Sequence, residues 1–335
     1  MAAATAIAIG ATGTAGAAPP LPSQDPFYSY SGSLASSAPG TVLKTGSVSI
    51  SELSLTVPFS ASQVLYRSTG ELGQPTPTVA TIIRPLLPAP TKIVSYQTAY
   101  DGLGSKCDPS FTLQGGSSGD STASAEEQVI AAYVMAGDTV VVPDYEGIDL
   151  EWGAGQASGH GTLDGIRAAE HVLGVDGGST AVALVGYSGG SIPTEFASEL
   201  QPSYAPGLDL VGAAEGGIPV DFAHNLEYIN GSQGWSGVIP AVLVGIARAF
   251  KIDINKYSSA YGMKVSHQVQ DVCINSFFGN YPGLTIQKLL KPPYHNFLAI
   301  PQIARITNHL TMTTSGTPKV PLSSASGTRT APATE

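Results

Sequence analysis

The pentapeptide Gly186-Tyr187-Ser188-Gly189-Gly190 follows the apolar run Ala181 to Val185 and precedes a stretch able to form a helix to about Leu200. A serine between a buried strand and a helix, with glycine two positions to either side, has what a nucleophile elbow requires. The serine takes a strained backbone so that Oγ projects from the sheet edge, and the glycines let strand and helix approach closely. The chemistry open to such a serine is acyl transfer. A G-x-S-x-G string is a weak signal in a chain with 39 glycines, and it gains force here from Leu184 and Val185 before it and the helix-capable stretch after it. The bland alternative is a tight strand-to-helix turn that holds a phosphate or nothing. Acyl transfer also needs donors aimed at a tetrahedral oxyanion. The backbone N–H of Gly189 supplies one, and a loop after an earlier strand is expected to supply the second. Gln97-Thr98-Ala99-Tyr100-Asp101, after the strand-like Lys92 to Tyr96, stands in that place, although the residues alone do not choose Asp101 over its neighbours.

The elements that must position these groups read as alternating strand and helix. After an extended lead-in over Leu21 to Ser37, strand-like patterning is expected at Ser47 to Val57, Gln63 to Arg67, Thr78 to Ile83 and Lys92 to Gln97. Ser124-Ala125-Glu126-Glu127 fits a capping box, with helical spacing following it through Met135. Thr139 to Val142, closed by Pro143, reads as a strand buried on both faces. A helix is expected from Thr162 to Leu173 and a further strand at Leu208 to Ala213. This alternation predicts an α/β fold, a parallel-type sheet with helices on both faces. From about Asp221 to His309 the strand signal stops and the chain becomes helical, aromatic and punctuated by Gly and Pro, as an inserted helical cap would be. Its most apolar stretch, Trp235 to Phe250, is either a core helix or a lid facing acyl chains. The expected divisions are a signal peptide at 1–18, a core at 19–220, a cap at 221–310 and a last segment at 311–335.

Composition narrows the partners. Charged residues make up 12% of the 335 positions, about half the usual share of roughly a quarter. The 15 Lys and Arg against 25 Asp and Glu leave a formal charge of −10 with no basic cluster, which argues against nucleic acid. The two cysteines, Cys107 and Cys273, stand in no metal-ligand spacing. A long-range disulfide in an oxidising compartment is the favoured reading, with two buried thiols as the alternative. Met1 to Pro20 is small and mildly apolar and offers Ala15-Gly16-Ala17 for cleavage, but no Lys or Arg precedes Lys44. It reads as a signal peptide without its basic n-region, or else as a disordered leader. No apolar run reaches transmembrane length. Asn230-Gly231-Ser232 matches a glycosylation sequon, a pattern frequent by chance.

Several spaced motifs agree in order with one family. Asp25-Pro26-Phe27-Tyr28, Ser95-Tyr96-Gln97, Cys107-Asp108-Pro109-Ser110, Val142-Pro143-Asp144-Tyr145-Glu146-Gly147 and the serine pentapeptide together resemble the secretory lipases of the lipase A type, from Asp25 to Pro321. The resemblance implies an α/β-hydrolase fold with a helical cap and a secreted enzyme acting on triacylglycerols or other long-chain esters at a lipid–water interface. It implies Ser188 as nucleophile, the N–H groups of Gly189 and Asp101 as oxyanion hole, and a Cys107–Cys273 disulfide tying sheet to cap, with no metal or organic cofactor. An acyltransferase, a peptidase or an inactive hydrolase-like protein on the same fold are the competing readings.

The departure from the family pattern is in the partners of the serine. In this fold the acid and the histidine follow the nucleophile on loops after the last strands. None of His160, His171, His224, His267, His295 and His309 follows a late strand, and His295 and His309 are the least implausible substitutes. Lys319-Val320-Pro321 promises a buried strand, whereas Ser323 to Glu335 has no apolar face. With plausible GC-rich codons written from Leu322 onward and Ser read as TCN, the shifted frame would encode an apolar strand followed by an Asp-bearing loop. The tail is therefore expected to be a frame-shifted reading, with the acid among the Asp residues of that shifted frame and the histidine coded further downstream.

Overall fold

Continuous runs of β-branched and small apolar residues build the centre of the sheet, where strands buried on both faces cannot alternate. The computed structural model describes residues 18–87, 91–118 and 122–325, so the expected leader, save its last residue, and the tail from 326 onward lie outside the described residues. Among these, eight strands form one sheet: β1 (Val42–Ser47), β2 (Phe59–Thr69), β3 (Pro75–Pro85), β4 (Ile93–Gln97), β5 (Thr139–Pro143), β6 (Ala181–Tyr187), β7 (Asp209–Gly216) and β8 (Leu322–Ala325). Their spatial order is β1-β2-β3-β5-β4-β6-β7-β8. The first three pair antiparallel, as does β3 with β5, and from β5 to β8 every pairing is parallel.

The helices are α1 (Pro109–Thr112), α2 (Thr122–Ala136), α3 (Gly155–Leu173), α4 (Ser191–Tyr204), α5 (Phe222–Ile229), α6 (Val238–Ala249), α7 (Ala260–Val269), α8 (Ile286–Leu289) and α9 (Pro301–His309). Leu163 and Ile166 of α3 and Phe196 and Leu200 of α4 pack with Val64, Ile82, Val182 and Leu184 of the sheet. Ile130 and Val134 of α2 pack with Ile83, Tyr96, Val140 and Val142, giving helices on both faces as expected. Helices α5 to α9 have a core of their own, built from Ile239, Val265, Phe277, Leu289 and Ile303, which Leu103 and Trp152 join from the sheet's loops. Within it Ile239, Val242 and Ile246 of α6 are buried, as in a core helix. No described helix is long and apolar enough to cross a membrane.

Several element boundaries depart from the sequence reading. Residues 48–57 are irregular, and the first strand is the preceding Val42–Ser47. The lead-in is not simply extended, since Pro22–Gln24 and Pro26–Tyr28 form single 3₁₀ turns with Pro at the first position, where its missing N–H costs nothing. Helix α3 starts at Gly155 rather than Thr162 because packing against α4 overrides the poor helix propensity of its glycines. Ser124 does not stand at the start of α2, which begins at Thr122. Glu126 instead reaches across to accept from the Ala99 N–H at 2.9 Å. At the far edge 317–321 is not a strand, and β8 forms at Leu322–Ala325 although all four side chains are exposed. Its backbone supplies the pairing with β7 that its side chains give no hint of.

Candidate functional site

Strand β6 runs between β4 and β7, and at its end the chain turns sharply into α4. Ser188 occupies that turn with φ +52°, a left-handed conformation that costs a non-glycine residue on the order of 1 kcal/mol or more. The surroundings hold it there. The Ser191 hydroxyl donates to Ser188 O at 2.5 Å, and Thr194 Oγ1 lies 2.8 Å from Gly190 O and 2.9 Å from Gln97 Oε1. The close approach of strand and helix explains the glycines: a Cβ on Gly186 would collide with Gly190 O and Thr194 Oγ1, and one on Gly190 with the Gln97 carbonyl oxygen.

Beyond β4, Asp101 turns at φ +32° and is buried. Its carboxylate lies against Gly189, so the residue after Ser188 and the residue expected to give the second oxyanion donor are neighbours. The Trp152 indole N–H donates to Asp101 Oδ1 at 2.9 Å. The rest of the loop is equally fixed. Tyr145 OH donates to Thr98 O at 2.7 Å, the Glu146 N–H donates to the Tyr100 hydroxyl at 2.7 Å, and the Tyr100 and Tyr145 rings stand 4.8 Å apart. Gly102 bridges to Cys273, and Cys273 is bonded to Cys107, as expected, across a separation of 166 residues. The disulfide thus ties the helical layer to the Asp101 loop itself.

Carboxyl groups crowd the back of the site. Burial, then the neighbouring Asp101 and Asp108 charges, push Glu146 well above the usual carboxylate range. Burial raises Asp144 to about 7 against the opposing hydrogen bond from Ser110, and burial followed by the Asp144 charge raises Asp108 well above the ordinary carboxylate range. Beneath α4 a second group forms. Burial raises Glu195 to about 7, with Glu199 adding to it, and raises Glu215 to about 8, with Glu195 adding to it. Glu195 and Glu215 hydrogen-bond to each other, while Glu199 accepts from the N–H groups of Thr313 and Ser315.

The histidines stand elsewhere. His309 meets Glu71 Oε1 at 3.0 Å, and Glu71 Oε2 accepts from the Ala157 N–H, stapling the β2–β3 turn to α3 and α9. His160 is buried 4.1 Å from the Tyr204 ring, its pKa lowered to about 4 by burial. His171, His224, His267 and His295 are exposed. Among the described residues none of the six is hydrogen-bonded to Ser188. Neither His295 nor His309 is thereby brought to the serine. Among the described residues no cluster of His, Cys, Asp and Glu is arranged to hold a metal ion.

The structure therefore brings Ser188, Gly189 and Asp101 together, and adds Trp152, which sequence reasoning did not name, with Glu146 and Gln97, which it named only inside longer motifs and gave no role. The one trace of Trp152 in the sequence is an aromatic residue alone in the polar, glycine-bearing Asp149 to Gly155 loop. Nothing local announces its bond to a residue 51 positions earlier. A cleft of about 760 Å³ lies between the N-terminal turns, Ile148 to Leu150 and the end of α6, and Ser188 does not line it. A small apolar cavity of about 60 Å³ lies inside the helical layer, lined among others by Leu243, Ile246, Tyr257, Leu289, Phe297 and Ile303.

Known proteins share both sequence and fold. The profile of the secretory lipase family matches residues 114–330. A protein of Mycobacterium tuberculosis named "Probable inactive lipase MT1628" is 33% identical over 86% of this chain and 66% of its own length. The "Secreted triacylglycerol lipase LIP3" of Malassezia restricta is 36% identical over 64% of this chain and 47% of its own. The chain thus spans about half to two thirds of the length of the curated relatives it matches. Among solved structures, the crystal structure of Candida antarctica lipase A superposes with a TM-score of 0.86 at 30% identity, over 92% of this chain and 74% of that one. The fold is that of the α/β-hydrolases.

Proposed function

The chain belongs to the secretory lipase family, and from that premise we propose that it is a secreted serine lipase or esterase that hydrolyses triacylglycerols or other long-chain esters through an acyl-enzyme on Ser188. Ser188 Oγ attacks the ester carbonyl carbon, and the carbonyl oxygen takes the negative charge. The Gly189 and Asp101 N–H groups donate to that oxyanion. Collapse expels the alcohol, which carries off the proton that Ser188 Oγ gave up on attack, and water then attacks the acyl carbon to release the acid, one of its protons returning to the serine oxygen. The observation that carries this reading is Ser188 at positive φ in the β6–α4 turn with Gly189 packed on Asp101. In this reading residues 221–310 are a cap over the site, and their apolar interior suits long acyl chains.

Fluorophosphonate labelling tests the assignment. The wild-type chain takes up one equivalent of label and Ser188→Ala takes up none. Label that persists in the variant, or that never appears in a folded wild-type chain, removes the proposal.

A second reading, a hydrolase-like protein without turnover, is favoured by the absence, among the described residues, of any histidine bonded to Ser188. It predicts a labelling rate no faster than that of a free serine, and no release of acid from p-nitrophenyl esters of any chain length.

A further inference from the structure

Two large rings stand in the open on the helical layer. Trp235 is 48% and Phe278 40% exposed, and they pack edge to face with centroids 4.7 Å apart. They belong to two loops that run side by side and close their own backbone hydrogen bonds. The Gly279 N–H donates to Gly234 O at 2.8 Å, Gly283 to Ser232 O at 3.0 Å and Gly231 to Leu284 O at 2.9 Å. In a chain of net charge −10, the sequence from Tyr228 to Ala247 and again from Val272 to Gln287 contains no Asp, Glu, Lys, Arg or His.

We propose that Trp235 and Phe278 are an anchor by which this protein adsorbs to an uncharged ester–water surface. Tryptophan suits a boundary of that kind, with an apolar body and one polar N–H. The three backbone hydrogen bonds that join the loops lower the cost of taking them out of water, and the lack of formal charge in these segments removes the main penalty for doing so. The same absence of basic residues, with the net negative charge, disfavours an anionic bilayer as the partner. The anchor is coupled to the site by direct contact. Phe277, next to Phe278, packs on Trp152 at 5.4 Å, and Trp152 holds Asp101. Cys273, five positions before Phe278, is bonded to Cys107 and bridged to Gly102. A surface that receives these rings is therefore held in a fixed relation to Ser188. That the surface is made of ester rests on the lipase reading, whereas adsorption itself does not.

The test is a partition assay with no turnover in it. Ser188→Ala chain, made in a host that leaves Asn230 unmodified, is mixed with triolein emulsion, with neutral phosphatidylcholine vesicles and with anionic phosphatidylglycerol vesicles, and the bound fraction is measured after flotation. Binding to triolein is expected, with a loss of at least about tenfold in Trp235→Ser/Phe278→Ser. Fluorescence gives a second reading that needs no double variant. Of the two tryptophans Trp152 is buried, so a blue shift on adsorption reports Trp235, and Trp235→Phe keeps the binding but loses the shift. The proposal is overturned by equal partition of parent and double variant, by binding to the anionic vesicles alone, or by a concentration-dependent dimer that the double substitution abolishes while triolein binds neither form. Because Ser188 is absent from the assay, loss of labelling and loss of adsorption are separate results.

Discussion

The Cys107–Cys273 bond joins a loop beside the sheet to the helical layer across 166 residues, and cutting it exposes how much of the fold depends on that closure. A cross-link restricts the unfolded chain, and the chain-entropy relation for a loop of this length gives about 5 kcal/mol at 25 °C. Native relaxation and residual structure commonly reduce the measured value, so Cys107→Ser/Cys273→Ser is expected to lose about 3 to 5 kcal/mol. At the usual unfolding entropy per residue, a chain of 335 residues then melts about 4 to 7 °C lower. The assay is calorimetry of the oxidised chain, the reduced chain and the double variant, with thiols counted in denaturant before and after reduction. The denaturant slope should also rise on reduction, because a chain freed of its link exposes more surface when unfolded. If thiol counting shows a broken bond while melting temperature and slope both stay put, the closure argument is wrong. Because Cys273 also bridges to Gly102, the variant should label more slowly at Ser188 even below its melting transition.

Single contacts carry consequences of their own. Gly190→Ala places a methyl group against the Gln97 carbonyl oxygen and should cost about 1 to 3 kcal/mol in urea unfolding, with labelling lost in the folded fraction. Trp152→Phe keeps the packing on Phe277 but removes a charged hydrogen bond to Asp101; a loss of about 1.5 to 3 kcal/mol and slower labelling are expected, and unchanged values would deny Trp152 a part in holding the loop. Glu195 and Glu215 have folded pKa values of about 7 and about 8, above the ordinary 4.5, so the unfolded chain ionises first. Their pH-dependent contribution is fully present below about pH 4.5 and is lost as pH rises through 7 to 8. Glu215→Gln, which keeps a donor for Glu195, should flatten that decline in urea midpoints taken at pH 5, 7 and 9, and a slope equal to wild type would assign the titration elsewhere.

The legible parts of this fold are those whose cause is local. The elbow needs a strand end, a serine and two glycines within a few residues, so Gly186 to Gly190 declares itself, and β5 and β6 declare themselves as unbroken apolar runs. The first strand is hard to place because Val42-Leu43-Lys44-Thr45-Gly46-Ser47 lies at the sheet's edge and shows no clean alternation. Ser124 misleads because a capping box and a glutamate that bonds across to Ala99 have the same letters. The contacts that define the site, Asp101 with Gly189 and Trp152 with Asp101, join residues 88 and 51 positions apart, and no periodicity encodes them. The choice of Asp101 is implied by its position in the family resemblance, where the physics of the isolated loop cannot make it.

In strand β8 a sheet position is filled by backbone alone. Its register places Leu322 beside Ala213 and Ala325 beside Gly216, yet every one of its side chains is exposed. Shifting a half-buried strand by one residue normally turns its apolar set toward water, and that cost fixes the alignment. Here there is no apolar set to turn. Position in β8 is dictated by the row of free partners that β7 offers, so this edge of the sheet is permissive: many four-residue sequences without proline would dock there, and substitutions at Ser323 and Ser324 should leave the architecture unaltered.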